Sequence, residues 1–167
     1  MRHRTRGFTL IELLIVVAVI GILAAIAIPN LLTALQRARQ KRTMANMRNI
    51  ATAWEARATD LGRYNAAGIT IDGMSAPVTI LQLQAAIAPT YMRSIPTQDG
   101  WSNDFICLTE ATFGGSSQAQ RYALVSGGRD GVVAANPVMG PTTDFDCDII
   151  YSNGTFLAYP DGLQTGR

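Results

Sequence analysis

The chain has 167 residues, enough for one small folded domain in addition to a membrane helix, and its formal net charge is only +2. Three of the positive charges are Arg2, Arg4 and Arg6, so the rest of the chain is near neutral and gives no support to nucleic-acid binding. The only histidine is His3, and the sequence has neither a Gly-x-Ser-x-Gly motif nor a phosphate-binding glycine loop with lysine. We therefore predict that the protein is not an enzyme.

The first predicted element is an apolar helix that follows a short basic segment. The basic segment ends at Gly7, and residues 8–28 contain a single ionisable side chain, Glu12. A helix rises 1.5 Å per residue, so this segment would be about 31 Å long, close to the roughly 30 Å hydrocarbon thickness of a bilayer. We expect it to span a membrane.

Glu12 requires an explanation, because an acidic side chain inside a membrane helix costs up to about 3 kcal/mol. One interpretation is a tolerated charge near the lipid headgroups, since Glu12 lies only one helical turn after Phe8. The other interpretation supplies a cation. Cleavage after Gly7 would give Phe8 a free α-amino group, and this group on a neighbouring subunit would pair with Glu12. A buried pair of this kind adds little net stability but fixes the register of two chains.

The sequence Gly-Phe-Thr-Leu-Ile-Glu at residues 7–12, followed by an unbroken apolar helix, resembles the class III signal of type IV pilins and type II secretion pseudopilins. The resemblance implies that a prepilin peptidase cleaves between Gly7 and Phe8 and methylates the new amine of Phe8. It also implies that Glu12 guides each subunit into a growing filament. An ordinary secretory signal would use small residues such as those at 23–27 as a cleavage site, but the position of Glu12 and the helix that continues beyond argue against it.

Gly21 and Pro29 are the predicted weak points of the helix. Proline removes a backbone hydrogen bond and crowds the preceding turn, and glycine costs about 1 kcal/mol relative to alanine in a helix. We expect a kink at Pro29. The resemblance implies that the segment between these two residues can melt when subunits leave the bilayer for the filament.

Beyond Pro29 the pattern becomes amphipathic, with apolar residues at steps of three and four. It predicts one helix that continues to about residue 61, ends at Gly62 and packs its upper part against a head domain. The apolar positions are Leu31, Leu32, Leu35, Ala38, Met47, Ile50, Ala51, Trp54, Ala58 and Leu61. The basic residues at 37–42 are interpreted as a solvated helix face, and contact with anionic headgroups or acidic neighbouring subunits is the alternative.

Residues 62–100 are predicted to form a connecting loop and a short helix over 78–88. Gly-Arg-Tyr at 62–64, Pro-Thr-Tyr at 89–91 and Asp-Gly-Trp-Ser-Asn-Asp-Phe at 99–105 resemble the major pseudopilin of type II secretion. In place of residues 99–105 that family usually has Asp-Pro-Trp-Gly-Asn-Pro-Tyr. Gly100 and Ser102 depart from this pattern. The resemblance favours a pseudopilus subunit over a surface pilus.

The C-terminal part is predicted to form short antiparallel strands over 104–109, 120–126 and 148–158, the last as a hairpin that turns at Asn153-Gly154. The predicted fold is therefore α+β and type IV pilin-like: a long N-terminal helix whose first half spans the membrane, and a small antiparallel sheet as the head. The predicted segments are a cleaved leader (1–7), a transmembrane and assembly helix (8–29), its amphipathic continuation (30–61) and the head (62–167).

A glycine-rich loop at 126–131 and an acidic stretch at 144–148 lie between the predicted strands. Clustered carboxylates repel each other unless a cation joins them, and calcium takes six to eight oxygens from carboxylates and backbone carbonyls. The resemblance implies calcium in this loop, with Asp130, Asp146 and Asp148 as the predicted ligands. A solvated acidic turn without a metal is the alternative.

Cys107 and Cys147 are the only cysteines. If the head lies outside the cytoplasmic membrane, the compartment permits a disulfide. Closing a loop of about forty residues would contribute about 4 kcal/mol in the chain-entropy model. We predict a bridge between them, and two free thiols are the alternative.

The resemblance as a whole implies a structural subunit of a type II secretion pseudopilus. The expected location is the bacterial inner membrane, with a single pass and a periplasmic head, before the subunit enters a filament in the periplasm or at the cell surface. The expected partners are other copies of the chain, a prepilin peptidase, an inner-membrane assembly platform with minor pseudopilins, and lipid before assembly. The alternatives are a type IV pilus subunit for adhesion, motility or DNA uptake, and a monomeric membrane-anchored binding domain.

Overall fold

The computed structural model of the chain describes residues 7–61, 76–110, 119 and 121–165. The basic leader, the predicted helix end at Gly62 and the Gly-Arg-Tyr sequence at 62–64 lie outside the described residues. The elements are two helices and six strands: α1 Leu10–Asp60, β1 Ala76–Val78, α2 Ile80–Ile87, β2 Ile106–Thr109, β3 Tyr122–Ser126, β4 Gly140–Asp144, β5 Ile149–Ser152 and β6 Thr155–Thr165. This order confirms the predicted α+β, pilin-like fold.

The chain divides into two compact units, residues 1–36 and 37–167, and α1 contributes to both. In the first unit, no described residue is buried. In the second unit, α1 buries one face, as its amphipathic pattern predicts. The buried residues of that face are Gln40, Thr43, Met47, Ile50, Ala51, Ala53, Trp54 and Ala58.

The six strands form one sheet in the order β1-β2-β3-β5-β6-β4. The predicted strands at β2 and β3 and the hairpin of β5 and β6 are confirmed, and its turn has positive φ at Asn153 (46°) and Gly154 (85°). Two strands were not predicted. β4 pairs with β6 in parallel, so the sheet is not wholly antiparallel, and β1 replaces the first residue of the predicted helix at 78–88.

The two faces of the sheet pack against different core clusters, because successive side chains of a strand point to opposite faces. Tyr122 and Leu124 face the larger core cluster, which also contains Met47 and Trp54 of α1 and Leu83 of α2. Ala123 and Val125 face a smaller cluster on the other side. The head is therefore built around the buried face of α1, and the ring centroids of Trp54 and Tyr122 lie 5.0 Å apart.

Candidate assembly site

Glu12 lies in the first turn of α1 and forms a capping box with Thr9. The Thr9 backbone N–H and its hydroxyl both donate to Oε2 of Glu12, at 2.8 and 2.6 Å, and the Glu12 N–H donates to Thr9 Oγ1 at 3.3 Å. Threonine followed three residues later by glutamate is the sequence signature of this cap, which was not among the predicted features. Oε1 has no hydrogen-bond partner among the described residues, so the carboxylate keeps one oxygen free.

The helix around Glu12 presents an apolar surface on every side. Every large apolar side chain from Phe8 to Leu35 is exposed, with fractions between 47% and 81%. By length and composition α1 is suited to cross a membrane. An apolar surface of this extent requires lipid or other protein surfaces around it. Glu12 is the one charged residue of this surface.

Gly21 and Pro29 both lie within the continuous helix α1. The Thr33 hydroxyl donates to the Pro29 carbonyl at 3.1 Å, one turn along the helix. The helix is thus complete through both residues in the isolated subunit. Its melting in a filament stays a prediction.

Asp146 forms a bidentate ion pair with Arg129. The guanidinium donates from Nε to Oδ1 at 2.6 Å and from Nη2 to Oδ2 at 2.5 Å. Both carboxylate oxygens of this predicted calcium ligand are therefore engaged. Among the residues that the structure describes, no three His, Cys, Asp or Glu side chains are grouped so that they could hold a metal ion.

The three predicted ligands, Asp130, Asp146 and Asp148, all line one cavity of about 250 Å³. Asp148 is only 6% exposed, and its Oδ2 accepts the Ala134 N–H at 2.9 Å, whereas its buried Oδ1 has no partner. Burial raises the pKa of Asp148, and repulsion from Asp130 adds to the rise. A cation would relieve both the unsatisfied Oδ1 of Asp148 and its repulsion from Asp130, and calcium binding stays a prediction.

The predicted disulfide between Cys107 and Cys147 is not formed, and both cysteines are free. Cys107 pairs with Leu124 of β3, and Leu124 pairs with Tyr151 of β5, so two strand spacings of about 4.8 Å separate β2 from β5. Cys147 lies in the turn before β5, four residues before Tyr151. Bridged Cα atoms lie within about 7 Å, so the sheet register keeps the two thiols apart.

The loop at residues 99–104, which we call the Asp99 loop, connects three parts of the head. Asp99 accepts the N–H groups of Trp101 at 2.8 Å and Asn103 at 2.9 Å, and the hydroxyl of Ser126 in β3 at 2.7 Å. The Gly100 N–H donates to the Thr43 hydroxyl of α1 at 2.8 Å. The Asn103 amide donates to the Gly128 carbonyl at 3.0 Å and so links this loop to the glycine-rich loop.

The structure explains the backbone setting of two departures from the family pattern, Gly100 and Ser102. A Cβ at Gly100 would lie 2.4 Å from the backbone oxygen of Arg39, so only glycine allows the loop to approach α1 this closely. Ser102 has a φ of 71°, which is the left-handed region that glycine occupies most readily. Glycine, which the family usually has at this position, adopts this conformation without strain, whereas serine is strained in it.

A protein-family model described as "Prokaryotic N-terminal methylation motif" matches residues 2–28. Type II secretion system core protein G of Pectobacterium carotovorum subsp. carotovorum is 30% identical over 116 residues, which cover 67% of this chain and 72% of that protein. The protein of the same name from Klebsiella pneumoniae is 28% identical over 142 residues, which cover 84% and 96%.

A pilin is similar over a shorter segment. Type IV major pilin protein PilA of Myxococcus xanthus (strain DK1622) is 50% identical over 62 residues. This match covers 37% of the chain but only 28% of the pilin. No solved structure gives a significant match.

Proposed function

Because the chain belongs to the family of type II secretion system core protein G, we propose that it is a structural subunit of a type II secretion pseudopilus. The observation that carries the proposal is the uniformly exposed apolar surface of α1 from Phe8 to Leu35, with one carboxylate in its first turn. A helix of this kind is an anchor in lipid and a packing element when copies of the chain surround it.

Assembly begins with cleavage between Gly7 and Phe8 by a prepilin peptidase, which also methylates the new amine. Gly7 and Phe8 are both exposed and precede α1, which begins at Leu10. The amine of one subunit then pairs with Glu12 of the next. Thr9 engages only Oε2, and the free Oε1 is the oxygen that would accept the incoming ammonium group.

The proposed location is the bacterial inner membrane, with the head in the periplasm, followed by a filament in the periplasm or at the cell surface. Further partners are an inner-membrane assembly platform and minor pseudopilins. The protein acts as a structural element and not as an enzyme. This part of the proposal is supported by the names of the relatives, which describe secretion system components and pilins.

We also propose that the head binds calcium through Asp130 and Asp148. The support is the buried, unpartnered Oδ1 of Asp148 beside the Asp130 carboxylate in one cavity. Asp146 is left out of this ligand set because Arg129 engages both of its oxygens. The remaining oxygen ligands would come from backbone carbonyls and water.

A type IV pilus subunit is the second candidate, favoured by the 50% identity to PilA. Its weakness is coverage, since core protein G relatives match most of their own length and the pilin does not. Deletion of the gene distinguishes the two. Loss of protein secretion supports the pseudopilus, and loss of twitching motility with intact secretion supports the pilus.

The substitution Glu12→Ala tests the assembly mechanism. We expect the variant to insert into the membrane as well as the wild type, because the change makes the helix more apolar, but to form no filaments. Carbonate extraction measures insertion, and electron microscopy of sheared filaments measures assembly. Glu110→Ala removes an exposed head carboxylate and serves as the matched control. Normal filaments in Glu12→Ala would contradict the role of Glu12 in assembly. A chain that forms no filaments, acts without cleavage at Gly7 and keeps its activity in Glu12→Ala would favour the monomeric binding domain instead.

A further inference from the structure

A cavity of about 340 Å³ lies in the second unit, beside α1 and the C-terminal strand β6. It is lined by Arg37, Gln40, Lys41 and Met44 of α1 and by residues 160–164. A buried hydrogen bond from the Gln40 amide to Gln164 Oε1, at 3.1 Å, joins its two walls. The Gln164 amide also donates to the Thr142 carbonyl at 2.7 Å, so the walls are held by polar contacts.

Two cationic side chains line this cavity. Arg37 and Lys41 are four residues apart, which brings them to the same face of α1. Nε of Arg37 is buried and has no hydrogen-bond partner, although a buried N–H requires an acceptor. Within the described part of the chain, neither side chain forms a salt bridge. The one acidic residue of the lining, Asp161, is exposed and accepts the Gly162 N–H at 2.8 Å.

The cavity begins where the exposed apolar surface of α1 ends. Leu35 is the last exposed large apolar residue of this surface, and Arg37 follows two residues later. Arg37 and Lys41 therefore follow directly in the sequence after the surface that requires lipid, so the anion available to them in the membrane-anchored state is a lipid phosphate.

We propose that this cavity binds the phosphate group of an anionic lipid, such as phosphatidylglycerol, while the subunit is still in the membrane. The Arg37 guanidinium supplies directed donors that suit phosphate oxygens, and Lys41 supplies a second positive charge. The inference rests on the membrane-anchored state of the proposed function and does not depend on polymerisation. Bound lipid at this position would hold the unassembled head close to the membrane surface.

The test uses the full chain in neutral detergent, with bound lipids counted by native mass spectrometry during titration with phosphatidylglycerol or phosphatidylcholine. The double variant Arg37→Gln/Lys41→Gln should weaken phosphatidylglycerol binding about tenfold or more. The matched control is Arg39→Gln/Arg42→Gln, which removes the same charge from exposed side chains of the same stretch outside the cavity lining. The control should change the affinity less than about threefold. Lys41→Arg should keep the binding.

Three outcomes would overturn the proposal. Equal losses in the two double variants would mean that the positive charge of the whole stretch, and not this cavity, attracts the lipid. Equal binding of phosphatidylcholine, whose phosphate is balanced by choline, would mean that the cavity does not select an anionic headgroup. Binding of inorganic phosphate as tight as that of the lipid would assign the cavity to a soluble anion. The Glu12→Ala variant should bind phosphatidylglycerol normally, so failure of the lipid site and failure of the assembly mechanism are distinguishable.

Discussion

Ser102 occupies a left-handed backbone position in the middle of the Asp99 loop, next to a glycine that packs against α1. The family resemblance predicted a related loop that departs from the usual pattern at Gly100 and Ser102, among other positions, but only the backbone angle shows that Ser102 is strained. Gly100 is different, because its departure from proline leaves room for the Arg39 backbone. The two departures look alike in the sequence, but Gly100 is favourable because it allows close packing against α1, whereas Ser102 is unfavourable because its backbone is strained.

Ser102→Gly should stabilise the protein by about 0.5–1 kcal/mol, because the left-handed conformation costs a non-glycine residue about 1–2 kcal/mol and glycine loses more entropy on folding. Urea unfolding of the full chain in detergent measures the change. Gly100→Ala is the opposing variant and should destabilise, since the new Cβ would meet the Arg39 oxygen at 2.4 Å. A Ser102→Gly variant less stable than the wild type would contradict the strain.

Thr9→Val should reduce filament assembly and leave membrane insertion unchanged. Valine keeps the shape of threonine but removes the hydroxyl that donates to Glu12 at 2.6 Å, so the carboxylate loses part of its orientation. Thr9→Ser retains the hydroxyl and is the matched control. Filament yield and membrane fraction are measured for both variants. Equal yields for valine and serine would show that the capping box has no part in assembly.

At the scale of elements, the helices and the best strands could be predicted because their signals are local. The periodicity of α1, the Tyr-Ala-Leu-Val sequence of β3 and the Asn153-Gly154 turn each depend on a few adjacent residues. β4 has Gly140 and Pro141 and only one buried residue, Thr142, and its pairing with β6 depends on the rest of the sheet. The disulfide prediction failed for the same reason, since the distance between two cysteines depends on strand register.

The pKa of Asp148, in the acidic loop before β5, predicts how the stability of the head depends on pH. The raised pKa of Asp148 means that the folded state binds this proton more tightly than the unfolded state. Stability is therefore highest below the ordinary pKa, falls as pH rises through the folded pKa, and stays reduced at neutral pH when no cation is bound. Asp148→Asn should remove this fall and exceed the wild type in stability at pH 7 in chelator.

Calcium should reverse the order of stability, so that the wild type becomes more stable than Asp148→Asn. It should raise the melting temperature of the wild type and have little effect on Asp148→Asn, because binding to the folded state adds stability by mass action. Thermal unfolding at several pH values, with calcium or chelator, measures both effects. Asp161→Asn, at an exposed carboxylate of β6, is the control. A calcium response that survives in Asp148→Asn would exclude this aspartate as a ligand.

At the scale of the whole molecule, the two compact units of the chain require different surroundings. Residues 37–167 bury their own core, whereas the described residues of the first unit bury nothing and need lipid or neighbouring chains. The sequence shows a change from an apolar helix to an amphipathic one near Pro29, and the two units divide seven residues later, between Gln36 and Arg37. The proposed function depends on the same division, since only the first unit exchanges its surroundings during assembly.

Trp54→Ala should destabilise the head by about 3–5 kcal/mol and leave membrane insertion intact. The Trp54 side chain is fully buried against Tyr122, and its loss would open a cavity in the main core cluster. Near-ultraviolet circular dichroism during urea unfolding follows the head, and carbonate extraction follows the anchor. Leu81→Ala, at a residue that is 67% exposed, should change stability by less than about 0.5 kcal/mol. Loss of insertion in Trp54→Ala would contradict the division.

The two unbridged thiols give the head a built-in reporter of its own folding. Burial raises the pKa of Cys107 to about 12, so this thiol is neither ionised nor accessible in the native head, while Cys147 is half-buried. A maleimide dye should therefore modify Cys147 first and reach Cys107 only when the sheet opens. Maturation of the head also needs no oxidase, and a reducing agent should leave it folded.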